Sequence, residues 1–371
     1  MKKSFLLTAM AVVCMGGYAQ KTVNVQTAGT LGTLLTETEQ KELTQLIITG
    51  ELNSADVKIL RAMTKTKADR FKPGLVGFGV LEDLDLSGAV FVKDNKPYFS
   101  DDDNMEDYAT APNAIGGYMF FSSMTLRRFT PPEGTVSVGA GAFQDCMNLE
   151  YFGGKEIAVY GASAFGGCEK LEPIPLDAAR AIGASAFQKN LRITDVVLSD
   201  DIKSFSGNAF SGCTSLKNVK LGAGITELDS YSFNSLPALE TVEIGENVKE
   251  IYPNSFNNCT ALKSFTCHAK VVPTTPNLSY ATGPFEGVPE TAILYVPEES
   301  VGMYKVALHW KNFQNVEAIP NGSVVDAIEV ISDSEGTSRW FNLQGEEVAA
   351  PANGIFIEMR GSKSRKVMVK E

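Results

Sequence analysis

The sequence predicts a repeat solenoid, mainly β, whose 22–23-residue coils stack their strands into a parallel sheet, with a helical cap before it and a small β-domain after it. Three observations carry the prediction. Phenylalanine recurs at Phe120, Phe143, Phe165, Phe187, Phe210, Phe233 and Phe256, in steps of 22 or 23 residues, and a fixed period of this length is the mark of stacked repeats. The positions around each Phe repeat with it, roughly as Ile-x-x-x-Ala-Phe-x-x-Cys-x-x-Leu-x-x-Val-x-Leu. After each Leu the apolar residues alternate with polar ones, as in Leu239-Glu240-Thr241-Val242-Glu243-Ile244, which is the pattern of a half-buried strand.

Residues 1–19 read as a secretory signal peptide: Lys2 and Lys3, an apolar run from Phe5 to Met15, then Gly17-Tyr18-Ala19 before a cut at Gln20. Lipid attachment at Cys14 is disfavoured because the branched Val13 stands where such a signal wants a small residue. No other stretch reaches about 18 consecutive apolar residues, so no transmembrane segment is expected and the mature chain is placed outside the cell, secreted or at its surface. The formal charge of −11 speaks against nucleic acid, whose binding needs clustered Lys and Arg.

Residues 20–80 are expected to form a helical N-terminal cap. Glu37–Gln45 and Ser54–Met63 show helical spacing, Asn53 or Ser54 is a plausible N-cap for the second helix, and Leu46-Ile47-Ile48 reads as a short strand. Leu81-Glu82-Asp83-Leu84-Asp85-Leu86 then reads as the first strand of the solenoid, taken to span 81–319. Between Val90 and Gly116 the period lapses into a polar loop with Asp101, Asp102, Asp103, Glu106 and Asp107. Calcium would need hard oxygen ligands, which the run has, but the spacing of a calcium-binding loop is missing, so a solvated loop is expected.

Within the solenoid, three residues after each Phe stands Cys or a small residue (Ser123, Cys146, Cys168, Asn190, Cys213, Leu236, Cys259), and three further on a Leu or Ile. Five residues before each Phe stands another apolar group: Ile115, Val138, Tyr160, Ile182, Phe205, Leu228, Ile251. No coil can bury these alone, so stability has to come from stacking. The Ala-Phe-x-x-Cys-x-x-Leu phrase, near complete at Ala142, Ala164 and Ala209 and with Ser255 in place of Ala, resembles the BspA-like bacterial leucine-rich repeats. That resemblance implies a leucine-rich repeat fold in a secreted or surface protein, some of whose relatives are adhesins. Asn190 and Leu236 depart from the pattern, and the Pro- and Thr-rich insertion from Val272 to Gly283 leaves the register at Phe285 open.

Downstream, Ile293–Pro297 is expected to be a strand and Ser300–His309 a short helix, together capping the far end. A small C-terminal β-domain is assigned to 324–371, with strands in Trp340–Gly345 and Gly354–Ile357 and a basic end at Arg360, Lys363, Arg365 and Lys366. This segment resembles the sorting domains read by type IX secretion machinery, which implies export by that route.

No chemistry is written plainly. His268 and His309 lack spaced metal partners, no nucleophile–base–orienter set is found, and in a strand the adjacent Cys267 and His268 would point to opposite faces. No enzyme activity, cofactor or metal ion is expected. Of the five mature cysteines, four fill the inward column and are expected as buried thiols; Cys146 and Cys168, about 5 Å apart on adjacent coils, are within reach of a disulfide. The function expected is protein–protein interaction by a single copy of the chain, as adhesion to host matrix or other cells; a cell-envelope scaffold and an unrecognised hydrolase are the alternatives. The outward residues of the sheet should form ladders, with Lys217, Glu240 and Lys263 alternating in sign and Lys220 facing Glu243. The candidate interaction face is Arg128, Tyr151, Asp195, Asn218, Lys220 and Glu243.

Overall fold

A computed structural model describes residues 20–68, 74–100, 106–276 and 282–320 with side chains, and the backbone alone of 13–15, 18–19, 101, 339–341, 347–348, 354–360 and 363–369. The chain divides into two units, residues 1–318 and 319–371. The first is the solenoid. Each coil contributes a short rear strand, a turn carrying the Phe, and a front strand, and successive coils pair in parallel along both sheets.

The Phe column is a stack. Rings on neighbouring coils lie 5.2–6.1 Å apart from Phe120 through Phe285, with interplanar angles of 17° or less, inside the range where offset aromatic pairs attract. Phe285 stacks on Phe256 at 6.1 Å, so the insertion ends with the register restored. The apolar column five residues earlier is buried in every coil, as is the Leu column.

The turn itself is set by two left-handed residues per coil, two before and two after the Phe. The first series runs Tyr118, Gly141, Ser163, Ser185, Asn208, Tyr231, Asn254; the second runs Ser122, Asp145, Gly167, Lys189, Gly212, Ser235, Asn258, Gly287, all with φ between 51° and 78°. Glycine suits these positions because it has no Cβ to meet the following carbonyl, and Asn and Asp because their short polar side chains bond locally. These kinks aim backbone N–H groups along the solenoid axis, giving a third ladder: Phe143, Phe165, Phe187 and Phe210 each donate to the residue before the next Phe, at 2.8–3.2 Å.

The cysteine column has a purpose beyond filling space. Cys146, Cys168, Cys213 and Cys259 donate from Sγ to the carbonyls of Phe120, Phe143, Phe187 and Phe233 on the preceding coil at 3.0–3.4 Å, and Asn190 does the same from Nδ2 to Phe165 at 2.8 Å. All five described cysteines are free and buried, Cys146 and Cys168 included. Burial pushes the thiols of Cys146, Cys213 and Cys259 up to about 12 and that of Cys267 to about 11.

Upstream, the expected helices form at Glu37–Glu42 and Ser54–Met63, the latter closed by an Asn53–Asp56 capping box. The segment 20–80 is mixed rather than only helical. Tyr18–Val25 and Gln45–Leu52 are parallel strands that continue the front sheet to Asp83–Phe91, because Val23, Val25, Leu46, Ile48 and Leu52 alternate into the core. Of the expected leader, residues 1–12, 16 and 17 lie outside the described residues, and Val13–Met15 pairs with Tyr18–Gln20. The cap is bolted to the first Phe turn by Arg61, which is 3% exposed and donates to the carbonyls of Tyr118, Met119 and Lys67 at 2.5, 2.8 and 2.9 Å. Its guanidinium also lies 4.9 Å from the Phe99 ring, and burial lowers its pKa to about 10.

The acidic segment forms a hairpin, Phe99–Asp101 against Glu106–Tyr108, whose aromatic side packs on Tyr118. Residues 102–105 lie outside the described residues, so the calcium question falls there. At the far end the helix expected over 300–309 is confined to Val301–Tyr304, followed by Trp310–Asn312 in a tight turn. Trp310 overrides the local pattern: fully buried, its Nε1 donates to the Pro273 carbonyl at 2.9 Å, and its ring meets Phe285, Phe265 and Tyr304. Asn315–Ala318 then adds a last parallel strand beside Ile293–Val296. In the second unit four antiparallel strands order as 347–348, 339–341, 354–360, 363–369.

The front sheet is not continuous. Coil Leu171–Leu176 carries Pro173 and Pro175 where the neighbouring coil has Tyr151 and Gly153, which donate to the carbonyls of Arg127 and Phe129. Proline has no N–H to give. One bond, Glu172 N–H to Glu150, survives, and Asp195–Leu198 opens a separate six-stranded sheet. The rear sheet breaks elsewhere, between Ser204–Phe205 and Glu227–Leu228.

Candidate functional site: the outer face of the front sheet

The six residues singled out from the sequence all lie on front strands, but the proline coil divides them. On the upstream side, the register sets Tyr151 beside Arg128 and Arg128 beside Asp83. The Arg128 guanidinium sits 4.3 Å over the Tyr151 ring and 3.7 Å from the Asp83 carboxylate. One row over, Arg127 bonds both Glu150 oxygens, at 2.9 and 3.1 Å, and stands 3.7 Å from Glu82. Asp83 titrates above its usual range because burial and Asp85 outweigh the help from Arg128.

On the downstream side Asp195, Asn218 and Thr241 are register partners joined edge to edge. Asn218 Nδ2 donates to Asp195 Oδ1 and Thr241 Oγ1 donates to Asn218 Oδ1, both at 2.7 Å, while Thr194 Oγ1 closes the line on Asp195 Oδ2. Lys220 lies 3.5 Å from Glu243, and Lys263 lies 2.6 Å from Glu240, so two of the neighbours of alternating sign close as ion pairs, while Lys217 acts on Glu240 as a nearby charge. Glu243 also receives His268 Nε2 at 3.0 Å, and this bond, with Lys220, holds its carboxyl below the usual range against the opposing effect of burial.

Cys267 and His268 do point apart: the thiol is buried against Tyr304 Oη at 3.1 Å while the imidazole meets Glu243 on the outer face. Sequence reasoning missed Glu82, Asp83 and His268 as partners on this face. The signal was present in part, since Glu82-Asp83 sits in the strand expected at 81–86; pairing that strand directly with Arg127-Arg128, across the hairpin, would have found two of the three. Several charges of this face are held in ion pairs, Arg127 with Glu150, Lys220 with Glu243 and Lys263 with Glu240, while Asp195 is bonded only to neutral side chains, and the exposed Arg128 stacks on the half-buried Tyr151 ring. Among the described residues no cluster of three His, Cys, Asp or Glu has metal-binding geometry, and no helix is long and apolar enough to cross a membrane.

These features define a repeat protein of stacked coils with parallel sheets and few helices. Residues 98–189 and 180–280 match the BspA type Leucine rich repeat region in six copies, so these coils are similar to repeats of that type. No curated protein matches the chain. Among solved structures, the chain is similar to a leucine rich cell surface protein from Faecalibacterium prausnitzii, at 16% identity over 85% of this chain and 87% of that one, with a TM-score of 0.30. It is also similar to the pneumococcal vaccine antigen PcpA, at 15% identity over 76% of this chain and 63% of that one, TM-score 0.32. A leucine-rich repeat protein from Bacteroides ovatus matches at 14% identity over 56% and 82%, TM-score 0.19.

Proposed function

We propose that this chain is an exported, non-catalytic repeat protein that acts by protein–protein contact through the outer face of its front sheet, in adhesion to host matrix or to other cells. The observation that carries the reading is the Tyr151–Arg128 stack on a broad face where Arg127, Lys220 and Lys263 are each engaged by a neighbouring carboxylate. Tyrosine and arginine are the residue types that most often anchor protein interfaces, and stacked coils supply an extended surface around such an anchor.

The test is binding of the mature chain, beside its Tyr151→Ala and Arg128→Ala variants, to immobilised host matrix proteins and to bacterial envelope extract. Each variant is expected to lose about tenfold or more in affinity with its melting temperature unchanged. Equal binding by wild type and variants removes the face from the proposal, and capture confined to envelope extract favours a scaffold. Reproducible turnover of a peptide, ester or glycan, lost on changing one polar residue, would favour the enzyme reading instead.

For the second unit we propose a sorting role in type IX export, supported by its being a separate four-stranded antiparallel unit. Deleting Asp326–Glu371 in the native host should retain the protein inside the cell; normal arrival at the surface refutes it.

A further inference from the structure

At the proline break the structure leaves a small cavity between coil Leu171–Leu176 and strand Asp195–Leu198. Its volume is about 10 Å³, and its walls include Leu171, Glu172, Ile174, Phe187, Asn190 and Asp195. Two kinds of polar group border it: the buried, unpaired Asn190 oxygen, and the main-chain groups of Glu172 and Asp195, which lie on the exposed side. Asn190 is fully buried, and its amide is oriented without ambiguity: Nδ2 must face the Phe165 carbonyl, an acceptor, at 2.8 Å, which turns Oδ1 away and leaves it unpaired. The backbone ladder is also open. In the neighbouring coils the N–H of Tyr151, Asn218 and Thr241 reaches the carbonyls of Arg127, Thr194 and Lys217 at 3.0–3.3 Å, whereas the equivalent bond from Asp195 N–H to the Glu172 carbonyl is not made.

We infer that this cavity is a binding site for one ordered water molecule, which stands in for the missing ladder bond. The size fits, since a cavity of about 10–15 Å³ is what a single water needs. The chemistry fits as well: Asp195 N–H donates to the water, and the water donates to Asn190 Oδ1 and to the Glu172 carbonyl. Three bonds is the usual number for a buried water. The site also explains why the cysteine column changes identity here. Cysteine has a donor for the carbonyl of the preceding coil and little else, while asparagine adds the acceptor that a bridging water uses. The structure thus assigns to Asn190 a role in holding the split front sheet together between Tyr151 and Asp195.

Crystal structures of the whole mature chain and of its Asn190→Cys variant, at a resolution that shows ordered solvent, test the proposal. The wild type is expected to show one water within about 2.7–3.2 Å of Asn190 Oδ1 and of the Asp195 amide nitrogen, recurring in independent copies. The variant, which can still donate to Phe165, should lose that water and melt below the wild type. An empty cavity in the wild type, an Asn190 oxygen bonded to a protein donor, or a water that persists unchanged in the variant would each overturn the inference. Should the variant fail to fold, Asn190→Leu serves instead, leucine being the residue that fills the same column at Leu236, with the water again expected to be lost and its persistence counting against the site.

Discussion

Replacing Phe165 by alanine should open the centre of the ring stack. Phe165 lies 5.2 Å from Phe143 and 5.8 Å from Phe187 in near-parallel stacks, 4.9 Å from Phe152 edge to face, and 6.2 Å from Tyr160. Removing a buried Phe side chain costs about 3–5 kcal/mol when the surroundings cannot collapse. Collapse is hindered here, because the coils above and below are fixed by the turn ladder through Phe143, Phe165 and Phe187. Each ring pair adds roughly 0.5–1.5 kcal/mol beyond its buried area, which places the loss at the upper end, about 4–5 kcal/mol. At roughly 2–4 °C per kcal/mol for a domain of this order of size, the melting temperature should fall by about 8–20 °C. The assay is urea unfolding followed by fluorescence and circular dichroism, with calorimetry alongside. Coincident transitions by the two probes would show that the array unfolds as one unit and that a single free energy is meaningful. Phe165→Leu, which keeps most of the volume, should cost far less, and Val271→Ala, at a residue 82% exposed, should stay within about 0.5 kcal/mol of wild type. A Phe165→Ala loss below about 1.5 kcal/mol, or one no larger than that of Val271→Ala, would refute the view that the stack is the structural axis.

Four further outcomes are expected. Cys146, Cys213, Cys259 and Cys267 hold their protons to higher pH in the folded chain than the ordinary value of 9.0. The unfolded chain therefore binds fewer protons above about pH 9, and stability should fall from there upward by about 1.4 kcal/mol per pH unit per thiol until the folded values are reached; a flat profile between pH 9 and 10 contradicts the burial, as would labelling of the native thiols by a maleimide at pH 7.5. Arg61→Met takes the guanidinium donors from the carbonyls of Tyr118, Met119 and Lys67 and should destabilise by about 2 kcal/mol or more, with amide exchange rising first around Thr64–Lys67; a small loss would mean the cap is held by its apolar contacts alone. Gly212→Ala forces alanine into φ 72° with ordinary space for its Cβ, so a conformational cost of about 1 kcal/mol is expected in chemical denaturation, and a gain in stability would show that the left-handed column is not required. A double-mutant cycle on Glu240 and Lys263, an exposed pair at 2.6 Å, should yield a weak coupling that shrinks in high salt; a strong, salt-independent coupling would mean these side chains brace the sheet.

The interior of the solenoid was legible because it is redundant. Phe143 or Leu239 alone could belong to many folds, but seven copies at one spacing define both the period and the inward side. The ends were harder, for the reason that they occur once. The strand at Gln45–Leu52 extends beyond the expected Leu46-Ile47-Ile48 because Leu52 is buried by a neighbouring strand that no local pattern announces. The helix expected to reach His309 stops at Tyr304 because Tyr304 and Trp310 are drawn into an aromatic plug with Phe265 and Phe285. The left-handed columns were written in the sequence as Gly, Ser, Asn and Asp at fixed offsets, yet Lys189 and Tyr231 hide them from a search for glycine alone. On the outer face, the ladders of Lys220 with Glu243 and Glu240 with Lys263 followed from period and register. The proline break did not, because period and register treat Pro175 as one more outward position when its missing N–H is what matters.

The two sheet breaks fall at different levels of the stack. Where the front ladder lapses between Glu172 and Asp195, the rear strands Tyr160 and Ile182 remain paired and Phe165 still donates to Ala186. Where the rear ladder lapses between Phe205 and Leu228, the front strands Asn218–Leu221 and Thr241–Ile244 remain paired and Phe210 still donates to Ser232. The discontinuities are laid like offset joints in masonry. Tension drawn along the axis of an anchored molecule would meet main-chain bonds from two of the three seams at both levels, so neither joint provides a plane of easy rupture.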